Sequence, residues 1–418
     1  MKREKILIVE DNKALAKLIV KKMESTLDFD VDVAHTYVDA LNLVEKNSDY
    51  FVALLDLNLP DAPDGEVVDM ILSHKIPSII LTGSMDQETR EKILKKDVID
   101  YVFKGNIDDV NYIFTLIERL HKNRSIKVMV VDDSMATRSQ IRSLLQHQMF
   151  QVLVAAHGEE ALVFLEDNPD IKLILTDFQM PVINGVELTK EVRKRYSKNE
   201  LSIIAMTGTN TELISAKFLK IGANDFINKP FTKEEIACRI NNSLDSLEYI
   251  AKIQEMAQND FLSGLANRRY FFESMHEYFK DAKERQESFA LGLIDVDNFK
   301  QINDSLGHNV GDTVIVELAK ILQKQLTSYS HFMARLGGDE FCVVLKNIDQ
   351  KKALEFFIKL KSAITEVVIQ TKEIKELRMS VSIGVTFNDM NDLEEMINQA
   401  DKALYVAKKN GRNRVEVA

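Results

Sequence analysis

Four residue pairs recur in register along residues 1–230. Asp11 recurs as Asp133, Asp56 as Asp177, Thr82 as Thr207 and Lys104 as Lys229, at offsets of 122, 121, 125 and 125 residues. Solenoid repeats are far shorter, roughly 20–50 residues, so an offset of this size marks one whole domain that has been duplicated. Each copy is built from short apolar runs that end in acids, ILIVED and FVALLDLNLPD in the first, VMVVDD and LILTDFQMP in the second. Such runs, alternating with amphipathic helical stretches, predict buried parallel strands with crossover helices, that is, a doubly wound α/β sheet. The carboxyl ends of its strands open on one crevice, where the repeated residues converge.

The rest of the chain limits what can be attached to this pair. At 418 residues it has room for two to four domains. A hydrophobic fraction of 45% with 28% charged residues is that of ordinary globular domains. The formal net charge of −11 works against a DNA-binding output, because affinity for phosphate backbones depends on clustered Lys and Arg. Cys238 and Cys342 stand far apart and imply neither a disulfide framework nor a zinc site. The start, MKREKILIVED, runs straight into a strand, and no stretch of 18 apolar residues follows, which predicts a cytoplasmic protein without membrane insertion.

In the crevice of each copy, acids end the first strand (Glu10 and Asp11; Asp132 and Asp133) and another ends a later strand (Asp56; Asp177). Crowded carboxylates repel unless a cation offsets them, and all-oxygen ligation suits Mg²⁺. The set resembles the receiver domains of two-component response regulators, over roughly residues 3–122 and 125–247. That resemblance implies phosphoacceptors at Asp56 and Asp177, with Mg²⁺ held by Glu10, Asp11, Asp132 and Asp133. It makes Thr82 with Lys104 and Thr207 with Lys229 the switch residues, and Tyr101 and Phe226 the aromatics that turn inward. A sensor histidine kinase or phosphotransfer protein is then the partner. The second copy is the more orthodox, with NGVEL after its acceptor strand and Lys229-Pro230 at its lysine. The first has Gly105 after Lys104 and a longer loop, DAPDGE, after Asp56.

Domain boundaries follow at 1–122, 123–240 and 260–418, with a linking helix over 241–259. The segment between Lys229 and Asp260 has apolar residues at Ile236, Ile240, Leu247, Ile250 and Ala257, which fits either a helix packed on its own domain or a coiled coil. Beyond Asp260 the pattern changes. FALGLIDVD reads as a strand, Val310 to Leu326 as a helix, HFMARLGGDEFCVVL as two strands joined at a Gly-Gly turn, and MSVSIGVTF as a strand before the helix LEEMINQADKALYVAKK. The order predicts a mixed or antiparallel sheet with helices on one face. Asp339 and Glu340 at the turn would face Asp295 and Asp297 at the end of a neighbouring strand, acids with no obvious core to serve.

Four motifs in combination, DFLSGLANRR at 260–269, DVDNFKQINDSLGHNVGD at 295–312, RLGGDEF at 335–341 and ADKALYVAKKNGRNRV at 400–415, resemble the GGDEF diguanylate cyclase family. The resemblance implies a palm-like α+β fold related to nucleotidyl cyclases, and condensation of two GTP into cyclic di-GMP. Matched position by position, it implies Mg²⁺ or Mn²⁺ on Asp295, the Val296 carbonyl and Asp339, and Glu340 as the acid that helps deprotonate the attacking 3′-hydroxyl. Guanine contacts fall on Asn303 and Asp312, phosphate contacts on Lys408 and Arg412, with Lys300 and His308 as further substrate-binding candidates. Because each domain holds one GTP, catalysis requires a homodimer. The whole chain is similar to tandem-receiver cyclases whose second receiver is a degenerate adaptor, although here the second receiver is intact.

Two other readings stay open. A GGDEF domain can hold GTP or cyclic di-GMP without turnover and signal by contact; retention of Asp295, Asp339 and Glu340 argues against this. An enzyme making a mixed adenine and guanine cyclic dinucleotide would replace the acid at Asp312, which is kept. Many family members also stop themselves by binding product at an Arg-x-x-Asp site; here its positions are Ser328 and His331.

Overall fold

Burial on both faces is what turns the uninterrupted apolar runs into strands. In a computed structural model of the chain, residues 3–83, 96–104, 107–208, 212–370, 376–387 and 392–418 are described. The chain divides into two units, Met1–Ile250 and Ala251–Ala418.

The first unit holds two five-stranded sheets. β1 (Glu4–Val9), β2 (Phe29–Ala34), β3 (Val52–Asp56), β4 (Ser78–Thr82) and β5 (Asp100–Phe103) lie parallel in the order β2-β1-β3-β4-β5. β6 (Lys127–Val131), β7 (Gln151–Ala155), β8 (Ile171–Asp177), β9 (Ser202–Thr207) and β10 (Asp225–Asn228) repeat it as β7-β6-β8-β9-β10. This is the flavodoxin-like, doubly wound arrangement expected from the repeat. Ile6 and Ile8 enter one core cluster while Leu7 and Val9 enter the other, as period-two side chains must when helices cover both faces. Helices start where side chains satisfy free amides: Asn12 accepts from Ala14 and Leu15, and Asn184 with Glu187 forms a reciprocal capping box.

Polar contacts join the two sheets' domains within this unit. Arg119 lies 2.9 Å from Asp245 and 2.6 Å from Glu248, Gln148 donates to the Ile99 carbonyl, and Asn123 donates to that of Gln148. The helix Lys233–Gln258 is continuous and includes the stretch read as a linker. Its Ile236, Ile240, Leu244 and Leu247 are buried in the second domain's core, whereas Tyr249, Ile253 and Met256 are exposed. No described helix is long and apolar enough to cross a membrane.

In the second unit β11 (Ala266–Asn267), β12 (Phe289–Val296), β13 (His331–Gly337), β14 (Glu340–Lys346), β17 (Val381–Phe387) and β18 (Val415–Val417) form a mixed sheet in the order β11-β13-β14-β12-β17-β18. β15 (Val368–Ile369) and β16 (Leu377–Arg378) form a small separate pair. The expectation of helices on one face is corrected. Ala290, Ile294 and Val296 pack with the helices His308–Leu326 and Gln350–Glu366, while Phe289, Leu291 and Leu293 pack with Arg268–Arg285 and Leu393–Lys409. All eight residues of β12 are buried, which a sheet covered on one side could not achieve.

Candidate functional site

In the first domain, Glu10 follows β1 and Asp56 ends β3, and the two residues are 1% and 3% exposed. Lys104, just past β5, reaches 2.7 Å from Asp56 Oδ2 and 3.0 Å from Glu10 Oε2, and its backbone amide donates to the Thr82 carbonyl at the end of β4. Burial raises the Glu10 pKa, Lys104 opposes the shift, and the charge of Asp56 adds to it. Asp11 is exposed, and one oxygen from each of Glu10, Asp11 and Asp56 falls within 4.8 Å of the others. The longer loop after Asp56 is pinned by a Leu59–Ala62 bridge and leaves Asp56 at its strand end.

The second crevice repeats the lysine pairing, but its acids are not gathered within the same distance as Glu10, Asp11 and Asp56. Lys229 lies 2.6 Å from Asp132 and also pairs with Asp177, while Asp133 is exposed. Burial raises the Asp177 carboxyl against the pull of Lys229; burial would lower Lys229, but its bonds to the two acids leave it raised. Thr207 is fully buried, bonded to Asn228, and its carbonyl accepts from the Lys229 amide. The Lys229-Pro230 bond is cis. Tyr101 and Phe226 are each half-buried against the core.

The second unit's acids gather at the open end of its central strands. The Gly-Gly turn between β13 and β14 requires positive φ at both glycines, +144° and +53°, which Gly tolerates. It delivers Glu340 directly across from Asp295 in antiparallel register, and the Val296 amide donates to the Asp339 carbonyl. Lys408, in the last turn of Leu393–Lys409, lies 2.7 Å from Asp295 Oδ2. Burial lifts the Asp295 carboxyl to about 6, Lys408 restrains it, and the charges of Asp339 and Glu340 push it further. Carboxylates such as these are the hard oxygen donors a divalent cation takes, although among the described residues only Glu10, Asp11 and Asp56 are gathered closely enough to share one ion as they stand.

Asn303 is brought against Gly311, the residue before Asp312, by a close approach of two helices, Phe299–Leu306 and His308–Leu326. A Cβ on Gly311 would stand 1.9 Å from Asn303 Oδ1, so only glycine leaves the carboxamide its place. Asp312, His308, Lys300 and Arg412 are exposed.

Asp297 does not belong with these acids, contrary to the sequence reading. It has a core to serve: its carboxylate accepts from Ser380 Oγ, Ser382 Oγ and the Asn413 amide. A second arrangement was missed. Arg335 donates to the Gly338 carbonyl through Nε and Nη2, at 3.0 and 2.7 Å, and to Asp260 through Nη1 at 2.9 Å. Burial opposes the ionised Asp260, but Arg335 and Ser263 hold its carboxyl below the usual range. The only signal in sequence was that both residues lie in motifs, DFLSGLANRR and RLGGDEF.

Comparison with known proteins agrees with this geometry. The family model described as response regulator receiver domain matches residues 6–112 and 128–241, and that described as diguanylate cyclase, GGDEF domain, matches residues 257–414. The response regulator PleD of Caulobacter vibrioides is 24% identical over 98% of each chain. Diguanylate cyclase A of Treponema denticola is 35% identical over 57% of this chain and 64% of its own. A solved structure of a probable two-component system response regulator/GGDEF domain protein is 40% identical, covers 59% of this chain and all of that one, and superposes with a TM-score of 0.54. With receiver matches over more than half of its residues and a GGDEF match after them, the chain belongs to the response regulators, as a tandem-receiver protein with a diguanylate cyclase output domain.

Proposed function

We propose that the protein condenses two GTP into cyclic di-GMP and two pyrophosphates as a homodimer whose activity is set by receiver phosphorylation. The observation that carries this is the placement of Glu340 across from Asp295, with the Asp339 carbonyl bonded to the Val296 amide and Lys408 at 2.7 Å. Asp295, the Val296 carbonyl and Asp339 would hold Mg²⁺ or Mn²⁺, which when bound offsets charge on the attacking oxygen and the leaving pyrophosphate. Glu340 accepts the proton of the 3′-hydroxyl of one GTP as that oxygen attacks the α-phosphorus of the other. Lys300, Lys408 and Arg412 grip phosphate oxygens by charge-assisted bonds. Asp312 accepts from the guanine N1 and N2 donors, which adenine lacks, and Asn303 and His308 flank the base.

In the receivers, Asp56 and Asp177 accept a phosphoryl group from a sensor histidine kinase or phosphotransfer protein. Glu10, Asp11, Asp132 and Asp133 would hold the accompanying Mg²⁺, Lys104 and Lys229 pair with the new oxygens, and Thr82 and Thr207 donate to them. Since each output domain holds one substrate, pairing of phosphorylated receivers raises the effective concentration of the second half of the reaction. Incubation with GTP and Mg²⁺, with and without a small-molecule phosphodonor, tests the reading. Cyclic di-GMP identified by mass, formed faster with the donor, is expected; nucleotide binding without any product would replace catalysis by a silent signalling module.

A further inference from the structure

Asp297 lies one residue beyond β12, the strand that carries Asp295 and Val296, and is 5% exposed. Its Oδ1 accepts from Ser382 Oγ at 2.6 Å; its Oδ2 accepts from Ser380 Oγ at 2.7 Å and from the Asn413 amide at 3.0 Å. Its own amide donates to the Ser380 carbonyl at 2.9 Å. Three of about four acceptor sites on the carboxylate are therefore filled by protein donors.

The Asn413 bond reaches an unusual loop. Gly411, Arg412 and Asn413 follow one another with φ of +109°, +63° and +48°. Non-glycine residues rarely take that conformation and need surrounding structure to fix it. Here the Arg412 amide donates to Ala407, Thr365 donates to the Asn413 side chain, and Asp297 takes the Asn413 amide. The loop carries Arg412 and leaves the helix turn that sends Lys408 to Asp295.

We infer that Asp297 is a positioning residue that fixes the phosphate-gripping loop to the end of the strand that carries Asp295, so that Arg412 and Lys408 are set relative to Asp295 by one carboxylate. The inference rests on the phosphate roles proposed for Lys408 and Arg412, and assigns to Asp297 a part in GTP binding that does not involve a cation.

The test is steady-state turnover of GTP by the full chain with Mg²⁺ and beryllium fluoride. Asp297→Ala should raise KM for GTP about tenfold while kcat changes less than about threefold, because the acids keep their places and the grip does not. Asp297→Asn should stay within about threefold of the parent, since its carbonyl oxygen still accepts from Ser380 and Asn413 while the Ser382 hydroxyl turns. Asp297→Ala combined with Arg412→Ala should raise KM no further than the larger single effect. If Asp297→Ala does not fold, Ser380→Ala removes one donor alone and should raise KM about threefold; an unchanged KM there overturns the inference. An Asn variant as inactive as Asp295→Asn would place Asp297 among the charge-bearing acids and also overturn it, as would multiplying effects in the double variant. Arg412→Ala with unchanged KM would instead remove the proposed phosphate role of Arg412, a separate failure.

Discussion

The Tyr101 hydroxyl donates to Glu234 Oε1 at 2.7 Å, tying the aromatic residue three positions before Lys104 to the first turn of the helix Lys233–Gln258. If phosphorylation of Asp56 turns Tyr101 inward, as proposed, this bond must break. Tyr101→Phe should therefore raise turnover without a phosphate mimic by about tenfold or more, the size expected for one lost bond to a charged acceptor, and leave the beryllium fluoride rate unchanged. Glu234→Ala should act the same way. An unaltered ratio of the two rates in both variants would mean the bond does not restrain the output.

Asp339 is half-buried and Glu340 exposed, at a turn outside the core. Asp339→Asn and Glu340→Gln should each cut cyclic di-GMP formation at least about 100-fold. Their melting temperatures should match the parent, because no packed side chain is lost. Undiminished turnover in either variant removes that residue from the chemistry.

Gly311→Ala should behave as a substrate-binding variant although residue 311 itself is buried and touches no base. The added methyl must displace the Asn303 carboxamide, whose oxygen lies 1.9 Å from the Cβ position. KM for GTP should rise about tenfold, and Asp312→Ala should weaken GTP use by more than about tenfold by removing the guanine acceptor. Equal conversion of ATP and GTP by the parent protein would sink the guanine assignment.

Product feedback through the Arg-x-x-Asp position should be weak or absent. Neither Ser328 nor His331 supplies an arginine fork or a fixed negative charge, and the His331 ring is bonded to the Tyr329 carbonyl at 2.7 Å. Initial rates measured with added cyclic di-GMP decide the point. Strong non-competitive inhibition at low micromolar product would send the search to other arginines.

The parallel sheets were legible because a strand buried on both faces, such as VALLD at 52–56, leaves an unbroken apolar run, and because the duplication repeats every landmark. The Gly-Gly hairpin was legible from its turn chemistry. What sequence did not disclose lies in pairings between distant polar groups. Arg335 and Asp260 are 75 positions apart, Asp297 and Asn413 116, and Tyr101 and Glu234 133. Such bonds have no periodicity, so Asp297 looked like one more acid of the site until its three donors were seen. The two-sided cover of the output sheet was missed for a related reason: the short strand run FALGLIDV was read for its length and not for what its continuous burial demands.

The lysine in each receiver crevice fixes an electrical balance. Glu10, Asp11 and Asp56 with Lys104 leave two formal negative charges, and Asp132, Asp133 and Asp177 with Lys229 leave the same two. One divalent ion closes either account, whereas a monovalent ion leaves an uncompensated charge beside largely buried groups. An acyl phosphate, carrying about −1.5 to −2 where the carboxylate carried one, reopens it by up to a single unit. With an ion in place, phosphorylation would take each crevice from neutral to anionic. The two copies, for all their differences in loop and in the spacing of their acids, would present the same added charge to the hydroxyl and amide groups around them.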